Sequence, residues 1–525
     1  MQPVTGRLVY AVAAIVLAAC LVTIQRSSRE LTHCAVSLEG GIPAVVYQPG
    51  AARPCFGDAT APDGDPVPAV VLAHGFAANK GMMKALARTL VRAGYGVVTF
   101  DFRGHGQNPA GFDLPGSDPR GGLTQDFERV VRYARGHPGF DPERIAVVGH
   151  SMGGGAALAY GSWDPGLAAV IGISGGWGSD GPYPPPNLLL IWADGDAAPM
   201  RAVIRSAGAE VAGLERLVLD KTYGELDRGG GVRLTEVPDQ SHVSILYSDE
   251  AADRIVRWLN QSLGPGRPTQ VSDAPLAAST LGFVAFLVLL WGLPRVTRRW
   301  VPAEPLPPLE SPLARLGWLA VALVAGALAL SAVDASSGVG PFAFLPIKAS
   351  REIASLLFVT GTGLLVWGAA RTSLPRFRLL DPRVLVASAI FFGFVYLALG
   401  SVLLPRLDLF LPAHRFWLWP VLLLCFLPWF AANEWLLRGP GWTGVCLPIA
   451  GKLLTLGAIL LAALLGLLPF VVLLALPGLA LLFVIVEVLA ASSSRTTPNP
   501  ALAALAQSAC TAWVMSSIWP MQGGA

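Results

Sequence analysis

A serine hydroxyl attacks a carbonyl at neutral pH only when a base removes its proton and a third group orients that base. The chain offers those three residue types in a suggestive order. Gly149-His150-Ser151-Met152-Gly153 follows the apolar run Arg144–Val148 and leads into Gly154, Gly155 and a helical stretch. The glycines let the chain turn sharply without side chains colliding with the neighbouring strand and helix, which would lift the Ser151 hydroxyl above a sheet. Downstream, the apolar run Leu188–Ala193 ends on Asp194-Gly195-Asp196, and the run Val232–Val237 is followed by Pro238-Asp239-Gln240-Ser241-His242. Nucleophile, acid and base candidates therefore each sit just past the end of a strand-like segment. No Cys/His spacing completes a metal site, since His33 beside Cys34 has no further ligands, so neither metal nor cofactor is expected.

The elements that must position these residues are short β-type runs at 69–73, 96–100, 144–148, 168–173, 187–192 and 232–237, alternating with helical stretches near 81–94, 123–136, 152–161, 201–215 and 249–262. Continuous apolar strands alternating with helices predict a mainly parallel, doubly wound α/β sheet, covered on both faces. In such sheets the reactive groups collect at the C-terminal strand ends, where the serine and both acid candidates lie.

Ser, Asp and His in that chain order, together with His74-Gly75-Phe76, the segment Asp101-Phe102-Arg103-Gly104-His105-Gly106 and Ser241-His242-Val243, resemble the α/β-hydrolase superfamily, particularly single-domain serine esterases related to dienelactone hydrolases. The resemblance covers 36–263. It implies Ser151 as nucleophile, His242 as general base and then acid, and Asp196 as the orienting carboxylate, with Asp194 the competitor. It further implies an oxyanion hole from the backbone N–H groups of Phe76 and Met152. Ser151 stands where dienelactone hydrolases proper use cysteine. Only about a dozen residues separate the strand ending near Ser174 from the next, too few for a helical lid, so an open site bordered by Trp177, Tyr183 and Pro184–Pro186 is expected. His74, His105 and His150 are read as packing residues, Arg103 as tying its loop to neighbouring carbonyls, and His137 and His414 as surface or interfacial.

Composition adds a second half of another kind. The chain has 525 residues, 53% of them hydrophobic and 14% charged, against about 25% charged in soluble proteins. Residues up to Leu263 hold 48 charged side chains and a net charge of −4; those after it hold 25 and a net charge of +7. The positive residues lie in short segments between apolar runs near 275–294, 316–333, 354–370, 384–404, 417–435, 453–470, 471–491 and 501–519. That distribution is a membrane pattern and not a nucleic-acid footprint. An uncharged run at 8–25 reads as an N-terminal anchor, with Leu17-Ala18-Ala19-Cys20 as a lipobox alternative. With this anchor the chain has about nine spans, with 1–35 as anchor and linker, 36–263 as the hydrolase domain and 264–525 as an all-α polytopic domain of about eight spans. The last three are weakened by Pro469, Pro477 and Gly478, and a re-entrant pair is the alternative.

Alternating the spans from a cytoplasmic N-terminus places the clusters around Arg295–Arg315 and Arg371–Arg383 inside, and hence the hydrolase domain outside a bacterial-type plasma membrane. Cys34 and Cys55, the only cysteines of the soluble part, could bridge there; a loop of about 20 residues would gain on the order of 3 kcal/mol. Within the spans, Glu434 and Arg438 form an i,i+4 pair that faintly resembles a motif of intramembrane CAAX-type proteases but lacks their later histidines, while Glu487 is isolated. The expected partners are a small or lipidic ester and the bilayer. The activity expected is that of a membrane-anchored serine hydrolase, with an acyltransferase, or a transporter or scaffold carrying a non-catalytic hydrolase-like domain, as the alternatives.

Overall fold

The structure is a computed structural model, described for residues 3–29, 32–49, 65–112, 121–176, 181–264, 274–304, 311–337, 342–347, 350–371 and 377–523. The chain divides into two compact units. One comprises Val22–Ala278 with two later segments, Leu404–Asp408 and Pro520–Ala525; the other comprises Met1–Leu21, Ser279–Leu403 and Leu409–Trp519.

The first unit is built on a nine-stranded sheet whose strands are β1 (Thr32–Leu38), β2 (Ile42–Gln48), β3 (Val67–Ala73), β4 (Gly96–Phe100), β5 (Phe140–His150), β6 (Ala169–Ile173), β7 (Leu188–Ala193), β8 (Thr222–Tyr223) and β9 (Val232–Val237). Their spatial order is β1-β2-β4-β3-β5-β6-β7-β9-β8. The central strands β4, β3, β5, β6, β7 and β9 pair in parallel, with antiparallel β1–β2 at one edge and β8 at the other. This is the α/β-hydrolase architecture. Successive side chains of a strand point to opposite faces, so Val71 and Val147 enter one core layer while Val70, Leu72 and Val148 enter the other. The helices α3 (Gly122–Gly136) and α4 (Met152–Gly161) cover the first face through Phe127, Val130, Ala157 and Leu158. On the second face lie α2 (Lys84–Arg92) and α6 (Asp249–Leu263), through Leu86, Leu90, Ile255 and Leu259. Helix α5 (Ala198–Val211) follows the acid turn and buries Ile204 in the first layer. Burying both faces is what makes these strands read as unbroken apolar runs.

The second unit is helical. With α1 (Pro3–Arg29), its helices are α7 (Ala274–Gly292), α8 (Pro312–Ser337), α9 (Ser350–Arg371), α10 (Pro382–Leu403), α11 (Leu418–Leu437), α12 (Thr443–Leu464), α13 (Leu476–Thr496) and α14 (Pro500–Ile518). Among the described residues, nine helices are long and apolar enough to cross a membrane. Large aliphatic side chains such as Leu328, Val366 and Leu453 point outward, whereas the small-residue helix α14 is almost wholly enclosed. The break expected at 470–471 falls earlier: Gly466 at φ 75° ends α12, Pro469 follows, and a 3-10 turn over Phe470–Ala475 leads into α13. A left-handed glycine just past a helix terminates it, as a side chain there would be strained.

Candidate active site

Strand β5 delivers Ser151 to a turn with φ 52° and ψ −116°. The N–H of Ser151 donates to Ile173 O (2.8 Å), and Gly154 N donates to Ser151 O (2.9 Å), which fixes this strained conformation from both sides. The flanking glycines are sterically required. A Cβ on Gly149 would lie 1.9 Å from Gly153 O, and one on Gly153 2.5 Å from His74 O. The serine, 7% exposed, is thus held on a rigid pedestal at the centre of the sheet.

The three residues marked by chain order meet there. Ser151 Oγ lies 3.0 Å from His242 Nε2, and His242 Nδ1 lies 2.6 Å from Asp196 Oδ1. With Nδ1–H donated to the carboxylate, Nε2 is left as the acceptor for the serine hydroxyl. The Asp196 carboxylate is fully buried while the imidazole keeps 27% exposure, so substrate and water can reach the base. Asp196 Oδ2 accepts from Ser174 Oγ (2.6 Å) and Ala193 N (3.1 Å). Burial works to raise the Asp196 carboxyl, but the hydrogen bonds from His242 and Ser174 outweigh it and hold it below the ordinary carboxylate range. Asp194 does not touch the histidine. It accepts from the N–H groups of Asp239 and Gln240 (3.0 Å each), bonds that hold its carboxyl low and fasten the loop leading to His242.

Met152 opens α4, so its N–H has no helical carbonyl to meet. The strip Gly75-Phe76 runs beside the serine: a Cβ on Gly75 would stand 3.2 Å from Ser151 Cβ and 2.9 Å from His150 Nδ1. Met152 thus adjoins the nucleophile in sequence, and Gly75, which precedes Phe76, packs against it in space. The neighbouring histidines brace this geometry. His150 Nε2 donates to His242 O (2.7 Å); burial and the nearby His242 push its pKa down to about 3, so the ring stays neutral. His74 Nδ1 donates to Gly75 O (2.7 Å) while its Nε2 accepts from Phe102 N (3.1 Å), and burial lowers its pKa as well. His105 packs edge-on against Phe76 and Phe112. His137 stacks on Phe140, and His414 belongs to the helical unit.

Three readings of the sequence need correction. His137, expected at the surface or an interface, is buried. Arg103 pairs with a carboxylate and not with carbonyls: its N–H, Nε and Nη2 all donate to Asp126 of α3, at 2.9, 3.2 and 3.0 Å. Glu487 is not isolated. Arg438 bonds both Glu434 (2.7 Å) and Glu487 (2.6 Å), Lys452 reaches Glu487 (2.7 Å), and Gln507 donates to Glu434 (2.9 Å), all buried inside the helical unit. Sequence spacing exposes an i,i+4 pair but not partners 35 to 73 residues away. Ser174 was likewise missed, although its place at the end of β6, beside the strand carrying Ser151, was the available signal. Tyr183 is half exposed and no helix occurs among the described residues between β6 and β7; Trp177 lies outside the described residues. Cys34 is disulfide-bonded, and Cys55, the partner expected for it, also lies outside them.

Residues 64–221 match the family described as serine aminopeptidase, S33. Among curated relatives, a monoacylglycerol lipase of Mycolicibacterium smegmatis is 39% identical over 119 residues, covering 22% of this chain and 41% of that protein. The quorum-quenching protein AidA of Acinetobacter baumannii is 36% identical over 20% of this chain and 34% of its own. A thiohydrolase of Aspergillus aculeatus, aneE, is 32% identical over 20% of this chain and 33% of its own. The chain thus spans about a third to two-fifths of the length of the curated relatives it matches. A dienelactone-hydrolase-like protein of Klebsiella pneumoniae is similar over 98% of its solved structure and 44% of this chain, at 19% identity and a TM-score of 0.31. The first unit carries an α/β-hydrolase domain of the S33 type, followed in the same chain by long apolar helices.

Proposed function

We propose that this chain is a membrane-anchored serine hydrolase that cleaves ester, thioester or related acyl bonds through an acyl-enzyme. The observation that carries the reading is the continuous line from Ser151 Oγ through His242 to the buried Asp196, 3.0 and 2.6 Å long, at the apex of a strained turn. In the first half-reaction Ser151 Oγ attacks the acyl carbon and its proton passes to His242 Nε2. The imidazolium formed is stabilised by the Asp196 carboxylate, which keeps Nδ1 protonated throughout. The N–H groups of Met152 and Phe76 meet the oxyanion as charge develops on it. Collapse expels the alcohol or thiol, which takes the proton from Nε2 and leaves acyl-Ser151. Water then repeats the sequence, giving up a proton to His242 and releasing the acid as Ser151 regains its own. The lipase and thiohydrolase names among the relatives support an acyl substrate of lipidic or small apolar kind, and Phe76, Phe112 and Met152 supply an apolar surround.

The fluorophosphonate reaction tests this directly. Detergent-purified wild type should label covalently and hydrolyse p-nitrophenyl esters, and Ser151→Ala should lose both, by about 10⁴-fold or more. A folded wild type that takes no probe would end the hydrolase reading.

We further propose that the hydrolase unit lies on the extracytoplasmic face. Leu404–Asp408 follows the fifth apolar helix and Pro520–Ala525 the ninth, and both are part of the hydrolase unit. Nine alternating crossings from a cytoplasmic N-terminus bring both segments to the same face as that unit, and the positive-inside bias supports making it the outer one. A cysteine reporter at Gly229 should react with a membrane-impermeant thiol reagent in intact cells; protection until lysis would reverse the assignment.

A further inference from the structure

Two short segments of the C-terminal half are built into the hydrolase unit beside the oxyanion strip. Met521 pairs with the loop after β4 as one rung of β-bridge, its N–H donating to Gly104 O (2.8 Å) and its carbonyl accepting from Phe112 N (2.7 Å). The fit is close enough to dictate residue type: a Cβ on Gly104 would fall 2.4 Å from Met521 O, and one on Gly111 2.0 Å from Gly523 Cα. The loop so held presses on the oxyanion strip. The rings of Phe112 and His105 lie 5.9 and 5.8 Å from that of Phe76, and Phe102 N is bonded to His74, the residue that opens the strip.

The far end of the strip is held in the same way. Asn79 uses its side-chain amide as a surrogate backbone, donating to Asp408 O (2.7 Å) and accepting from Asp408 N (3.4 Å). The next residue, Lys80, is fixed to Asp101 by both its N–H (2.7 Å) and its Nζ (2.6 Å), and Asp101 in turn accepts from Gln107 N (2.9 Å). Strip 74–80 and loop 101–112 therefore form one hydrogen-bonded body with a strap at each end. Neither strap belongs to the contiguous hydrolase sequence.

We infer that the C-terminal tail at Met521 and the inter-helix segment at Asp408 position the oxyanion strip, so that the membrane half tunes transition-state stabilisation in addition to anchoring the enzyme. The inference rests on the hydrolase reading above. An oxyanion donor acts only on the transition state, and its misplacement lowers kcat with little change in KM. Met521 and Asp408 are positioning residues, with no contact to the reacting atoms.

The test is a kcat and KM comparison on full-length protein in detergent with a p-nitrophenyl ester, alongside the fluorophosphonate labelling rate. Met521→Pro deletes the N–H that Gly104 O receives, and Met521→Ala, which keeps both backbone bonds, sets the reference. Met521→Pro should turn over about ten- to a hundredfold more slowly than Met521→Ala, part of what a complete loss of one oxyanion donor costs, with KM within about twofold and labelling slowed in parallel. Gly111→Ala, whose methyl displaces the tail at Gly523 while leaving residue 521 intact, should shift kcat the same way and serves if Met521→Pro does not fold. Equal kcat in Gly111→Ala and wild type, or a change confined to KM, would overturn the inference. A wild type inert to the probe would instead remove the hydrolase reading on which it stands.

Discussion

Replacing Asp196 by Asn tests the site with almost no change of shape, and the structure fixes which way the new amide must point. Asp196 Oδ2 accepts two protons, from Ser174 Oγ and from Ala193 N, while Oδ1 faces His242 Nδ1. An amide NH₂ at the Oδ2 position would set donor against donor, so the oxygen stays there and the NH₂ turns to His242. The imidazole must then present a lone pair at Nδ1 and carry its proton on Nε2. In that tautomer Nε2 donates to Ser151 Oγ, 3.0 Å away, and cannot accept the proton that attack releases. A histidine locked in the wrong tautomer costs about 10⁴-fold in kcat, equivalent to about 5 kcal/mol of barrier. Asp194→Asn is the control, since Asp194 holds the backbone of Asp239 and Gln240 and loses only one of its two acceptor oxygens. Its turnover should fall by no more than about tenfold, the effect of one ordinary hydrogen bond on the loop. Stopped-flow hydrolysis of a p-nitrophenyl ester, with fluorophosphonate labelling to count active sites, reads both variants. An Asp196→Asn enzyme within tenfold of wild type, or an Asp194→Asn enzyme as dead as the expected Asp196→Asn, would refute the assignment.

Gly149→Ala should abolish labelling and lower stability by at least about 2 kcal/mol, since overpacking against backbone has no flexible atom to yield; labelling at the wild-type rate would show that the turn relaxes. His150 is held neutral, with its pKa down to about 3 against about 6.5 unfolded, so its contribution to stability is complete above about pH 6.5 and is lost as pH falls toward 3. Thermal melts should therefore show a shallower decline of Tm between about pH 6.5 and pH 4 in His150→Leu than in wild type, and parallel curves would contradict this. Arg438→Met leaves Glu434 with Gln507 alone and should destabilise the helical unit by about 3–5 kcal/mol, visible as an earlier melt in detergent; an unchanged melt would show that the buried ion pairs of Arg438 do not hold this unit together.

The alternation of apolar runs with helical stretches was enough to place β3 to β7 and β9 and the helices between them, because strands covered on both faces have no polar positions to confuse the pattern. Strands β1, β2 and β8 escaped notice: β1 and β8 are the edge strands, β1 with its alternate side chains exposed and β8 only two residues long, and β2 joins β1 to the parallel strands by antiparallel pairing. Ser151, Asp196 and His242 stood out because each follows a strand and because Gly149 and Gly153 leave room for one kind of turn. Asp194 and Asp196 are both carboxylates on one turn, and the preference for Asp196 came from the resemblance alone; the structure turns Asp196 inward to His242 and Ser174 and Asp194 toward the loop of Asp239 and Gln240.

The same division holds in the helical half. The nine long apolar helices among the described residues are written in composition, because a segment that crosses lipid must be apolar and satisfy its own backbone. The junction of Glu434, Arg438, Lys452, Glu487 and Gln507 is not, because it joins four helices whose packing no periodicity encodes. The straps at Asp408 and Met521 belong to the same class. Short polar or mixed segments between spans look alike in sequence, and only the tertiary fold shows that two of them close hydrogen bonds with Asn79, Gly104 and Phe112 of the hydrolase unit. Periodicity and turn chemistry are properties of neighbours in the chain; which distant groups share a proton or a hydrogen bond is settled by packing.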